Sequence, residues 1–128
     1  MSRYKTIIAL LAILLFSRVE AKQPISESLV DCAALFTIST RAFPERQTAK
    51  ARALNNAATT LTRAAQTRAA TEEQSDPQGY VDKLLREKRA KWDARGVNFI
   101  FSEEFREWAS YCRSLSKHLG ISLKPPEL

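Results

Sequence analysis

Glycine occurs three times, histidine once and cysteine twice in this chain of 128 residues. With so little glycine there is no phosphate-cradling loop and no dinucleotide fingerprint, both of which need glycine where backbone must approach a phosphate closely. One histidine, His118, excludes His-X-X-X-His spacing, and the two cysteines stand far apart. There is therefore no zinc pattern and no Cys-X-X-Cys-His haem attachment. No Ser-His-Asp pattern is present either. No cofactor and no metal are expected, and His118 reads as a helix-end residue favoured by the dipole.

Residues 1–21 are unlike the rest. Arg3 and Lys5 give a positive start, residues 7–16 form an unbroken apolar run, and Val19 and Ala21 offer the small side chains a signal peptidase reads. This is the pattern of a secretory signal peptide cleaved after Ala21. The run is too short to span a bilayer, which takes about 20 helical residues. Removing the segment takes away Arg3, Lys5, Arg18 and Glu20 and lowers the formal net charge from +6 to +4. Residues 22–128 then form a single helical domain, periplasmic or secreted. A mild positive balance favours anionic partners weakly and decides nothing about fold.

Proline and glycine divide the remainder into four helical segments, roughly 26–43, 44–71, 77–95 and 103–119. The expected fold is all-α, a small four-helix bundle with one disulfide, in up-down style with short connections. In the first segment Ser26 or Ser28 is the expected N-cap, and Leu29, Cys32, Ala33, Phe36 and Phe43 share a face. In the second, Pro44 is the expected first-turn residue. Its stripe runs Ala51, Leu54, Ala57, Ala58, Leu61, Ala64 and Ala65, with Arg52, Asn56, Thr59, Arg63 and Thr67 mostly on the wet side. Alanine favours a long helix and lets a neighbour approach closely.

Residues 71–75 read as a polar loop. Asp76 caps the third segment, with Pro77 at its first position. Tyr80, Val81, Leu84, Leu85 and Trp92 form its buried face, and Lys88 interrupts that face and is expected to reach solvent along its stem. Glu87 and Lys91 are spaced as an outward i,i+4 pair. Residues 97–101 are strand-like in composition but have no partner strand, so they read as an extended connector. Ser102 caps the fourth segment, Glu103 and Glu104 suit its dipole, and Phe105, Trp108, Ala109, Cys112, Leu115, Ser116 and Leu119 keep the helical period. Gly120 stops it, with Ile121 folding back toward Leu115.

In an oxidising compartment the two cysteines read as a disulfide. Cys32 and Cys112 each lie on an apolar stripe, so a bridge would staple the first segment to the last.

Three features could carry function. Lys83, Arg86, Arg89, Lys91 and Arg95 form a basic face that could meet an anionic partner, or could simply be solvated. Aromatic residues crowd the region from Trp92 to Tyr111. Most belong to a core, but Phe99 and Phe101 in the connector are the expected aromatic contacts if any are exposed. Glu103 and Glu107 are one turn apart, as paired carboxylates in glycoside hydrolysis could be, yet glutamates at a helix start are ordinary dipole partners. The leading expectation is an exported non-catalytic helical protein that binds or inhibits another envelope protein. The alternative is an accessory protein on anionic lipid or cell-wall polymer, and an enzyme is third. Export makes nucleic acid an unexpected partner.

Overall fold

The computed structural model describes residues 23–123. The signal-peptide segment 1–21 lies outside them. The described residues form five α-helices and one 3-10 turn: α1 (Ile25–Phe36), α2 (Ile38–Ala42), α3 (Ala49–Thr71), α4 (Pro77–Asp93), the turn Val97–Phe101, and α5 (Glu103–His118). No strand occurs among them.

Helix α1 is the core of the molecule rather than one wall of it. Ser26, Ser28, Leu29, Val30, Asp31, Cys32, Ala33, Ala34 and Leu35 are all buried, so residues on every side of the helix are covered. A helix that is apolar all round must be enclosed, and ISESLVDCAALF carries only Glu27 and Asp31 as charges. Helix α3 packs most extensively on α1, then α4, and α3 and α4 touch each other. Leu61, Ala65 and Ala69 make the buried seam of α3, and their small side chains allow the close approach. Helix α5 attaches to α1 and to the 3-10 turn.

The Cys32–Cys112 bridge fixes that attachment. It joins cysteines 80 residues apart, with Cα atoms 5.6 Å from each other, and both residues are no more than 1% exposed. Beside it lies an aromatic cluster. Trp92 stacks on Phe99 at 5.6 Å and meets Trp108 edge-on at 5.4 Å, while Phe105 abuts Phe99 and Tyr111 abuts Trp108. Such pairs add about 0.5–1.5 kcal/mol each beyond area burial.

Local chemistry changes the expected boundaries in four places. Segment 26–43 is not one helix: it breaks at Thr37, where φ is −109°. The Thr37 hydroxyl donates to the Ala33 carbonyl at 2.9 Å, and Arg41 donates to the Ala34 carbonyl at 3.0 Å. Side chains thus occupy carbonyls that helix amides would otherwise use. Neither Ser26 nor Ser28 caps α1. Pro24 holds the N-cap position without a side-chain bond, and the Glu72 carboxylate reaches across from the end of α3 to accept from the Ser26 amide at 3.2 Å and from its hydroxyl. This meets the need of a helix start for an acceptor and for negative charge.

Pro44 does not open α3. That helix starts five residues later, at Ala49, where the Thr48 hydroxyl accepts from the Ala51 amide at 3.1 Å. Finally, 97–101 is not extended. Lacking a partner strand, it bonds within itself, with the Phe99 amide donating to the Gly96 carbonyl at 3.1 Å and Ser102 to Phe99 at 2.9 Å. Gly96, at φ +81°, allows the reversal into this turn. The caps Asp76 and Ser102 sit as expected, each accepting at 3.1 Å from the amide three residues on. At the end of α5 the Ile121 amide donates to the Ser116 carbonyl at 2.8 Å, a Schellman closure.

Candidate functional site

Two features meet where α1, α4 and α5 converge. The first is a buried charge cluster around Asp31, whose side chain is 3% exposed. Its Oδ1 accepts from Trp92 Nε1 at 3.0 Å and from Lys91 Nζ at 2.8 Å. Its Oδ2 accepts from Gln23 Nε2 at 3.3 Å and lies 3.3 Å from Lys88 Nζ. Lys88 also pairs with Glu27 at 2.9 Å. Glu27 and Asp31 are one turn apart on α1, and Lys88 and Lys91 are one turn apart on α4, so two acids face two bases across the interface.

The electrostatics follow from this geometry. Burial alone would raise the Asp31 pKa, but the Lys91 and Gln23 hydrogen bonds and the Lys88 charge outweigh it and hold the carboxyl below its ordinary range. Burial would lower the Lys88 pKa, and the Glu27 and Asp31 carboxylates overcome that and raise it. The cluster is therefore charged and satisfied. Among the described residues no buried polar side-chain atom lacks a partner.

The second feature is an open groove of about 740 Å³, lined by Gln23, Ile25, Ser28, Glu107, Trp108, Tyr111 and Leu115. Ile25 from α1 and Trp108 and Leu115 from α5 give it an apolar floor, and Tyr111 is 45% exposed along it. Gln23 joins groove to cluster, since its amide donates both to Ser28 Oγ at 3.0 Å and to Asp31. The Lys91 ammonium lies 4.3 Å from the Trp92 ring centre and 5.8 Å from that of Trp108, which ties the cation to the back of the groove. Glu107 at its edge has no cationic partner among the described residues. The arrangement can bind apolar groups.

The structure distributes the sequence-derived candidates widely. Lys83 and Arg86 are exposed on α4 and make no ion pair among the described residues. Lys91 turns to Asp31 rather than to Glu87, and Lys88 ends in the buried cluster rather than in open solvent. Arg95 pairs with Glu104 at 2.5 Å on the surface, which raises the arginine pKa and lowers that of the glutamate. Arg89 faces a different cleft, beside Arg41. Phe99 is buried in the aromatic cluster at 6% exposure, and Phe101 stands out at 74%. The charge cluster and groove were missed in sequence. The available signal was a lone aspartate in an otherwise apolar stretch of helix.

No group of three or more histidine, cysteine or acidic side chains among the described residues is placed to hold a metal ion, and no described helix is long and apolar enough to cross a membrane. No protein-family model, curated protein or solved structure matches the chain.

Proposed function

We propose that this chain is an exported, non-catalytic helical protein that binds another protein of the envelope or exterior through the groove between α1 and α5. The occupant is a peptide segment that presents apolar side chains, with a basic residue set against Glu107. The observation that carries this reading is the open apolar lining of half-buried Ile25, Trp108 and Leu115 with exposed Tyr111. Apolar patches rimmed by polar residues mark contact surfaces, and aromatic side chains held in place by packing are the common anchors of such contacts. Export is supported by the apolar run 7–16 with its small-residue site and by the fully buried disulfide.

The test places a photo-crosslinking residue at Tyr111 in the expressing cell. The crosslinked protein is then purified and titrated against the free chain. Tyr111→Ala and Leu115→Asp should each weaken binding by about 10-fold or more, the loss of one anchor, whereas Phe101→Ser should not. Equal affinity of all three variants would remove the groove from the reading.

A second reading is association with anionic lipid or cell-wall polymer through α4. It is favoured by Lys83 and Arg86, which are exposed and lack acidic partners among the described residues. Salt-sensitive binding to anionic vesicles, lost in Lys83→Gln/Arg86→Gln, would support it. Lys91 is unsuitable for that test, because its replacement also disturbs Asp31.

A further inference from the structure

A second cleft, of about 430 Å³, opens between α2, α3 and α4. Three arginines from three different helices line it: Arg41 from α2, Arg63 from α3 and Arg89 from α4. Among the described residues no aspartate or glutamate lines it, and its floor is formed by Ala33, Ala58 and Leu85. We propose that this cleft is a binding site for a small oxyanion, a phosphate or carboxylate group held by Arg63 and Arg89 with Arg41 fixed behind them.

Arg41 is locked in place. Its Nε and Nη2 grip Asp93 at 2.8–3.1 Å, and its Nη1 donates to the Ala34 carbonyl at 3.0 Å and the Thr37 hydroxyl at 2.6 Å. Four of its five N–H donors are engaged, which makes it a positioned charge. Arg63 and Arg89 differ: neither has a carboxylate within ion-pair distance among the described residues. Their planar forks match an oxyanion in two-point geometry.

The threonines around them do not compete. Thr40, Thr59 and Thr62 spend their hydroxyl protons on the carbonyls of Thr37, Asn55 and Ala58 at 2.8–3.0 Å. The donors left for a ligand are therefore the Arg63 and Arg89 guanidiniums, the second Nη2 hydrogen of Arg41 and the Asn55 amide at the rim. The local electrostatics agree. Arg89 is pushed below its ordinary pKa by partial burial and by the like charge of Arg41, which Asp93 only partly offsets. An anion in the cleft would relieve that repulsion.

The experiment is calorimetric titration of the oxidised protein with inorganic phosphate and, separately, with citrate, at ionic strength matched with sodium chloride. Saturable binding of either is expected; phosphate alone assigns a phosphate group, and citrate alone a carboxylate. Arg63→Gln and Arg89→Gln should each weaken binding by about 10-fold or more, since each removes a charge-assisted contact. Lys50→Gln, exposed on the same helix as Arg63, should leave it unchanged. Melting curves confirm that the variants fold, and the wild type should gain a phosphate- or citrate-dependent rise in Tm that the arginine variants lack. No saturable binding of either anion, or an equal loss in Lys50→Gln, overturns the proposal.

Discussion

Replacing Asp31 by asparagine tests the charge cluster with little change of shape. The wild-type carboxylate is almost fully buried and is approached by Trp92, Gln23, Lys88 and Lys91. Removing one partner of a fully buried ion pair costs about 3–5 kcal/mol, because the other charge is stranded. Neither lysine is fully stranded here. Lys88 keeps Glu27 at 2.9 Å, and Lys91 is 46% exposed and can turn to water. Asparagine also keeps an acceptor for the Trp92 indole. The expected loss is therefore at the lower edge, about 2–3 kcal/mol, or a fall in Tm of roughly 10–20 °C for a domain of this size. Asp31→Ala should lose about 1–3 kcal/mol more, by orphaning the indole N–H.

The pH dependence separates charge from packing. The Asp31 pKa is depressed in the folded chain, so its ionisation stabilises the fold above the unfolded value of about 3.9. That contribution disappears as pH falls through the lower folded value. Urea unfolding of the wild type and Asp31→Asn should thus differ fully at pH 7 and converge in strong acid. A gap under about 1 kcal/mol, or one that does not change with pH, would refute the reasoning.

Trp92→Phe should cost about 1–3 kcal/mol in urea unfolding by taking a donor from the buried carboxylate, and Asp31→Asn should partly mask that loss in a double-mutant cycle. Gly96→Ala should lower stability by about 1 kcal/mol, because φ is +81° there although nothing lies within 4 Å of the added methyl. Glu72→Gln should cost about 1 kcal/mol by weakening the charged cap on α1, read from the same denaturation curves. The exported protein should begin at Lys22, as an intact mass would show; a mass that includes residues 1–21 would contradict cleavage.

The parts of the fold legible in sequence are those set by short-range rules. Asp76-Pro77 and Ser102 start helices because their side-chain acceptors serve amides three residues on, and Gly120 ends one because its φ is +72°. The cysteines could be paired because there were only two. What escaped depends on chain brought from far away. Glu72 caps a helix that starts 47 residues earlier, and no local pattern announces that. Thr37 breaks a helix because Arg41 and Thr37 together claim its carbonyls, while periodicity runs through the break. The full burial of α1 was legible in principle. Val30, Ala34 and Leu35 lie off the stripe of Leu29, Cys32 and Ala33, and a helix apolar on both sides belongs in the middle. Asp31 in that setting needed cations, and α4 offers Lys88 and Lys91 at one-turn spacing.

The disulfide anchors the helix that forms one wall of the groove. Helix α5 supplies Trp108, Tyr111 and Leu115 to the groove, yet it packs less extensively than α3 or α4, against α1, the 3-10 turn and Trp92. Closing a loop between residues 80 apart contributes about 4 kcal/mol in the chain-entropy view. Much of the order of α5 should therefore depend on the bridge. Cys32→Ala/Cys112→Ala should lose about 2–5 kcal/mol, and Cys112→Ser somewhat more than Cys112→Ala because its hydroxyl would sit in an apolar setting. The loss should be uneven. Hydrogen exchange should accelerate most in α5 and least in the α1–α3 seam of Leu29, Leu61 and Ala65, and tryptophan emission should shift red as Trp108 meets water. Binding at the groove should fall before the protein unfolds. If reduction accelerated exchange evenly across the helices, or left α5 as protected as before, the bridge would be only a general staple and the groove would not depend on it.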